Sequence, residues 1–192
     1  MARTRAGKVA AFAAAAAAAV MILGAPPAGA TVVESGRYTS EPYSFSHDDC
    51  GFPVDVEGTS SGHFRTRAGK GKADTAFFAL DNYSFTETQT NPETGEFLTI
   101  EANAVFNEIR AKRVEGTIFE FWAVEAGQFR MYDSDGRLVA RDRGSVLFHI
   151  LFDTEGDDVP GGIFIEEFPP TVRGPHPGFD DFCGLITPLI GS

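Results

Sequence analysis

The strictest constraint on the fold is an alternation of apolar residues near the middle of the chain. In "EFLTIEANAVF" an apolar side chain recurs at every second position, at Leu98, Ile100, Ala102, Ala104 and Phe106. Successive side chains of a β-strand point to opposite faces of a sheet, whereas a helix would distribute these residues around its axis. The segment is therefore predicted to be a half-buried β-strand.

Similar strand-like segments, separated by turn signals, fill the chain from Val54 to Phe168. Turns are predicted in "AGKGKAD", in "TNPETGE", around Gly127 and at Asp135–Gly136, because Gly, Pro and Asp favour tight reversals. Short turns imply antiparallel pairing, and no convincing amphipathic helix interrupts the series. The segments are VDVEG, SGHFRTR, TAFFALDNYSFTETQT, EFLTIEANAVF, EGTIFEFWAVE, the two arms of QFRMYDSDGRLVARD, GSVLFHILFDT and GGIFIEEF.

About eight strands in sequential hairpins can remove their exposed edges by closing into a barrel. We therefore predict an all-β fold, a single antiparallel β-barrel-like domain, with a β-sandwich as the alternative. Pairing of the first strand with the last distinguishes the two. "FPPTVRGPHPG" is predicted to be an extended connector, and "PGFDDFCGLITPL" a short C-terminal helix with Asp180 and Asp181 near its start.

Residues 1–30 are predicted to be a secretory signal peptide. Arg3, Arg5 and Lys8 precede an apolar run over residues 9–23, and Ala28–Ala30 supplies the small residues of a cleavage site. Cleavage leaves 192 − 30 = 162 residues, enough for one domain over residues 31–192. We expect a secreted, extracellular protein with no membrane association after cleavage.

The charge balance limits the partners. Removing three of the 16 basic residues with the signal peptide leaves a net charge of 13 − 27 = −14. Nucleic acid and anionic lipid would be repelled, so we expect an unknown small molecule or protein as partner. A basic cluster in "RTRAGKGKAD" (Arg65, Arg67, Lys70 and Lys72) either contacts an anionic polymer or partner or keeps a glycine-rich turn soluble.

Cys50 and Cys183 are the two cysteines, and in an oxidising compartment they are predicted to form a disulfide. The motif "FSHDDCGFP" around Cys50 also suggests a metal site or an activated thiol. However, zinc needs four ligands, and the neighbouring aspartates would raise the pKa of a thiol. We therefore predict a structural disulfide, no metal site and no cofactor.

Two ionisable residues interrupt apolar strand faces. Glu120 shares one side of its strand with Trp122, while Phe119, Phe121 and Ala123 share the other, and His149 lies between two leucines on a later strand. In a barrel, Glu120, Trp122 and His149 would line a small cavity that binds a ligand. The alternative is that Glu120 faces solvent and His149 is half-exposed.

Catalytic motifs are absent. The nucleophile motif G-x-S-x-G and paired metal-binding histidines do not occur, and the acidic segments "YDSDG" and "DTEGDD" lack the spacing of a calcium-binding loop. We assign no catalytic residue and leave open whether the protein is an enzyme. The predicted function is binding of a small or apolar molecule. The alternatives are a barrel-type isomerase or cyclase and an interaction or inhibitor protein without a cavity.

The alanine-rich signal peptide, "CGFPV" at Cys50–Val54, "TNPETGE" in mid-chain and "FCGLI" at Phe182–Ile186 resemble a group of uncharacterised secreted β-rich proteins of high-GC Gram-positive bacteria. No activity is known for that group, so the resemblance implies no catalytic residues. It implies only that the two cysteines belong to one shared framework.

Overall fold

The computed structural model describes residues 32–70, 76–176 and 181–191, so the predicted signal peptide lies outside the described residues. Within these ranges, eight strands are followed by one helix, α1 (Phe182–Ile190). The strands are β1 (Val32–Thr39), β2 (Tyr43–His47), β3 (Val54–Ala68), β4 (Phe77–Thr90), β5 (Phe97–Glu115), β6 (Ile118–Tyr132), β7 (Leu138–Asp153) and β8 (Ile163–Arg173).

All described strands belong to one antiparallel sheet. β3 pairs with β1 along residues 61–67 and with β2 along residues 54–58, and the order then follows the chain from β3 to β8. The predicted all-β antiparallel fold and its C-terminal helix are thus confirmed. In the described part of the chain β1 and β8 do not pair, so the sheet is not closed into a barrel. Part of β8 is unsuited to further pairing because Pro169 and Pro170 lack an amide hydrogen.

The strands are longer than the sequence pattern suggests. β3 joins two segments that were predicted as separate strands, and β6 continues through Gly127, so the turn predicted there is wrong. A Cβ at Gly127 would lie 2.6 Å from the Cβ of Ala104 on β5, which shows that this glycine permits close packing within the sheet. The chain reverses between β5 and β6 at Gly116, whose φ is +51°.

Two predicted hairpins are confirmed. In "TNPETGE" the amide of Gly95 donates to the carbonyl of Asn91 at 2.8 Å, and Gly95 has a φ of +78°. In "YDSDG" the Asp133 carboxylate accepts hydrogen bonds from the amides of Asp135 and Arg137 at 3.1 and 2.8 Å. These contacts, led by the Arg137 amide, lower the pKa of Asp133. The acidic segment therefore stabilises a turn.

Helix α1 covers one end of one face of the sheet. We call this face, which carries Val54, Val56, Leu98 and Met131, the helix-side face, and the opposite one the far face. The four side chains form a buried cluster with Ile186 and Ile190 of α1. Full burial of an aliphatic side chain contributes roughly 1.5–3 kcal/mol, so this cluster holds the helix on the sheet.

The predicted disulfide is confirmed. It joins Cys50, just before β3, to Cys183 in α1, with the Cα atoms 5.2 Å apart. Asp181 caps the helix, since its side chain accepts a hydrogen bond from the Gly184 amide at 3.0 Å.

Within the described ranges, no helix is long and apolar enough to span a membrane.

A second buried cluster lies at the other end of the sheet. Phe119 and Phe121 of β6 are almost completely buried and pack against Phe78, Ile150 and Phe152. The predicted separation of Phe119 and Phe121 from Glu120 and Trp122 is therefore correct.

Candidate functional site

Between the two clusters, the helix-side face carries tyrosine–carboxylate pairs that reach across an intervening strand. The hydroxyl of Tyr43 on β2 donates to Oε1 of Glu87 on β4 at 2.8 Å. Gly58 of β3 lies between them, in register with both residues. Because glycine has no side chain, the ring and the carboxylate can meet above the backbone of β3.

Two further pairs repeat this arrangement one strand or one row away. Tyr38 of β1 donates to Oδ2 of Asp81 on β4 at 2.8 Å, above Gly62 of β3. Tyr83 of β4 donates to Oε1 of Glu125 on β6, beyond Ala104 of β5. Small residues on the middle strand thus permit all three contacts. The six paired residues and the small residues below them are Tyr38, Tyr43, Tyr83, Asp81, Glu87, Glu125, Gly58, Gly62 and Ala104.

The three tyrosines act as neutral donors. Burial, followed by the hydrogen bond to the partner carboxylate, raises the pKa of Tyr38, Tyr43 and Tyr83 far above the usual value for tyrosine. Burial also raises the pKa of Glu87, although the hydrogen bond from Tyr43 opposes this effect. The face therefore carries neutral tyrosine hydroxyls, each donating its proton to a carboxylate, in a half-buried setting.

Aromatic rings occupy the rest of this central region. Phe85 of β4 and Phe129 of β6 approach each other to 6.0 Å between ring centroids, and Phe106 and Phe148 to 6.4 Å. Tyr83 stacks on Phe85 with centroids 6.4 Å apart. All five rings remain partly accessible to solvent. Partly wetted aromatic surface beside carboxylates is the composition expected of a ligand-binding surface.

Two of these carboxylates lack a cationic partner, and one of them also has an unsatisfied oxygen. Neither Asp81 nor Glu125 forms an ion pair within the described part of the chain. Oδ1 of Asp81 is buried and has no hydrogen-bond partner among the described residues. A buried acceptor without a donor costs free energy, which a ligand carrying an N–H or O–H group would recover.

The structure brings together the three predicted site residues on the far face. Trp122 and His149 are in register and stack with their ring centroids 4.6 Å apart. Oε1 of Glu120 lies 4.0 Å from Nε2 of His149, and its other oxygen lies 3.5 Å from Lys112. The side chains of Glu120 and His149 are 24% and 28% exposed.

This group extends into a four-membered stack across the far face. The guanidinium of Arg110 lies 4.6 Å from the Trp122 ring, and Phe168 stacks on His149 at 4.3 Å. Two cavities of about 230 and 240 Å³ on the described part of the chain are lined by other residues. Ligand binding by Glu120, Trp122 and His149 therefore remains a prediction, and the stack itself stabilises the pairing of β5 to β8.

The motif around Cys50 contains a histidine–aspartate contact and one half of the disulfide. Nδ1 of His47 lies 3.5 Å from a carboxylate oxygen of Asp49, and the sulfur of Cys50 is engaged in the disulfide. In the ranges that the structure describes, no group of three His, Cys, Asp or Glu residues is arranged to hold a metal ion.

The tyrosine–carboxylate pairs were missed in the sequence, although part of the signal is visible. Asp81, Tyr83, Phe85 and Glu87 alternate along "LDNYSFTET" and therefore share one face of β4. The alternation of apolar residues does not reveal this row, because three of its four members are polar. Their partners on β1 and β2 belong to strands that were not predicted.

No protein-family model, curated protein or solved structure matches this chain. Its function must therefore be inferred from the geometry of its own surfaces.

Proposed function

We propose that the protein is a secreted binding protein that holds a small organic ligand on the central helix-side face. The ligand has an apolar or aromatic body and a cationic amine or hydroxyl group. Its body packs on the rings of Phe85, Phe106 and Phe129, and its polar group donates to Asp81. Secretion accords with the disulfide and with the signal peptide predicted for residues 1–30.

One observation carries the proposal: Asp81 has one oxygen bonded to Tyr38 and another that is buried without a partner among the described residues. A carboxylate in this state attracts a donor, and a positive charge is favoured most because no ion pair compensates Asp81 in the described chain. The neighbouring rings favour cations as well, because the face of an aromatic ring is electronegative. A cationic ligand would thus be attracted both by the Asp81 carboxylate and by the aromatic rings.

The test uses three probes with the same aromatic body: benzylammonium, benzyl alcohol and benzoate. Binding to the full mature chain is followed by amide chemical-shift changes in heteronuclear NMR spectra. We expect benzylammonium to bind most tightly and to perturb the amides of residues 81–85, 102–106 and 125–129 around Asp81. We expect Asp81→Asn to weaken its binding about tenfold, a loss of about 1.4 kcal/mol.

The matched control is Asp55→Asn, which removes an exposed carboxylate on β3 that bonds to Ser46 and lies on the far face. Benzylammonium binding should be unchanged in this variant. Equal weakening by Asp81→Asn and Asp55→Asn would mean that only net charge matters, and the proposal would be wrong. Amide shifts confined to Trp122 and His149 would show that the probe binds on the far face, and the proposal would be wrong.

A further inference from the structure

A cavity of about 240 Å³ lies where β4 and β5 separate. Backbone pairing of these strands ends at Leu80 and Asn107, and β5 bulges between Glu108 and Arg110. The cavity, here called the tip cavity, is smaller than the roughly 300–1,000 Å³ typical of drug-sized ligands. It is lined by residues 67–70 at the end of β3 and by Phe78, Glu108 and Ile109.

The wall formed by the end of β3 and the two residues after it is positively charged. Arg67 and Lys70 are exposed, and in the described part of the chain neither forms an ion pair with a carboxylate. They belong to the basic cluster noted in the sequence, which stands out in a chain with a net charge of −11. Such a local reversal of charge would attract a small anion to this end of the sheet.

The floor of the tip cavity contains a carboxyl group in a neutralising environment. Oε2 of Glu108 accepts a hydrogen bond from the Ala79 amide at 2.5 Å, which replaces the missing β4–β5 backbone contact. Burial raises the pKa of Glu108 to about 7, because the charged form loses its hydration. Glu108 is therefore often protonated near neutral pH and then does not repel an incoming anion.

Apolar side chains complete the cavity. Phe78 is partly buried, whereas Ile109, the extra residue of the bulge, is 54% exposed. A β-bulge commonly redirects a side chain toward a functional site. Apolar surface next to two cations suits a molecule with an anionic head and a short hydrophobic body.

We propose that the tip cavity binds a small organic acid, with its carboxylate at Arg67 and Lys70 and its apolar body against Phe78 and Ile109. This site lies at the end of the sheet, does not include Asp81 and prefers the opposite ligand charge. Glu108 forms the floor and keeps the end of β4 in place through Ala79.

Benzoate, inorganic phosphate and benzylammonium test this site on the full mature chain, with binding measured by amide shifts at residues 67–70 and 108–109. We expect benzoate to bind more tightly than phosphate, and benzylammonium not to bind here. The double variant Arg67→Gln/Lys70→Gln should weaken benzoate binding about tenfold. Glu108→Gln keeps an acceptor for the Ala79 amide and removes the negative charge, so benzoate binding should persist or increase.

Arg65→Gln is the matched control, because Arg65 is an exposed arginine on β3 that does not line the cavity. It should leave benzoate affinity unchanged. Equal loss in Arg65→Gln and the double variant, or equal binding of phosphate and benzoate, would overturn the proposal. Asp81→Asn should not alter benzoate binding, so failure at one site is distinguishable from failure at the other.

Discussion

Tyr43 and Glu87 share a hydrogen bond of 2.8 Å although the whole of strand β3 lies between them. This contact depends on Gly58, whose position would place a Cβ 2.7 Å from the Tyr43 ring and 2.9 Å from Cγ of Glu87. The absence of a side chain on the middle strand thus allows polar contacts two strands apart. Side chains as well as backbone ladders therefore connect the N-terminal strands to the centre of the sheet.

Gly58→Ala should displace the Tyr43 ring and destabilise the fold by about 1–3 kcal/mol, as overpacking usually does. Denaturant unfolding measures the loss. In a Tyr43→Ala background the same substitution should cost less, because the Tyr43 ring, one of the two groups that the new Cβ meets, has been removed. An equal cost in both backgrounds would contradict the proposed steric conflict.

Removing the disulfide should lower stability without changing the sheet. The covalent loop spans 133 residues, and chain-entropy models assign roughly 4–5 kcal/mol to a loop of this length. We expect Cys50→Ser/Cys183→Ser to lose about 2–5 kcal/mol in denaturant unfolding while its far-ultraviolet circular dichroism stays that of a β-protein. Addition of reductant to the unmodified chain should reproduce the loss, and to the double variant should have no effect.

Asn91 connects the β4–β5 turn to the end of the helix. It is 2% exposed, its Nδ2 donates to the carbonyl of Ile190 at 2.7 Å and its Oδ1 accepts from the Glu93 amide at 2.9 Å. Asn91→Ala should leave that buried carbonyl without its donor and cost about 1–3 kcal/mol. Thermal unfolding of Asn103→Ala, an exposed position on β5, provides the comparison and should differ little from the parent protein.

The raised pKa of Glu108 predicts that the stability of the fold depends on pH. Its pKa rises from 4.5 in the unfolded chain to about 7 in the folded protein, so the folded state retains the proton more strongly. The contribution of Glu108 to the stability of the fold is therefore fully present below pH 4.5. It is lost as the pH rises through about 7.

Glu108→Gln is neutral at every pH and should be as stable as the parent protein near pH 4.5, yet more stable by about 2–3 kcal/mol at pH 8. Denaturant unfolding at both pH values measures this difference. The exposed control Glu101→Gln should show no comparable change. A constant difference between Glu108→Gln and the parent would contradict burial as the cause.

The sequence predicted those features that depend on local pattern or covalent chemistry. Alternation identified β5, Asp135–Gly136 identified one hairpin, and the isolated cysteine pair identified the disulfide. The turn predicted at Gly127 is wrong because glycine occurs both in turns and where strands pack closely. Only the contact with Ala104 on the neighbouring strand distinguishes these two cases. Strands β1 and β2 were missed because their mostly exposed residues carry little apolar alternation.

The candidate site was harder to predict because it depends on register. Glu120 and His149 are the ionisable exceptions on apolar strand faces, and Trp122, which shares the face of Glu120, does stack on His149. By contrast, Tyr38 meets Asp81, 43 positions away in the chain, only because β3 is inserted between their strands in a particular alignment. A one-residue shift in that alignment would turn these side chains to opposite faces.

The bond between Cys50 and Cys183 also determines whether the chain comes apart after cleavage by a protease. Every connection from β3 to β8 lies inside the covalent ring that this bond closes. A single cut at any of these connections opens the ring but leaves both pieces attached to each other. The fragments would separate on a denaturing gel only after reduction.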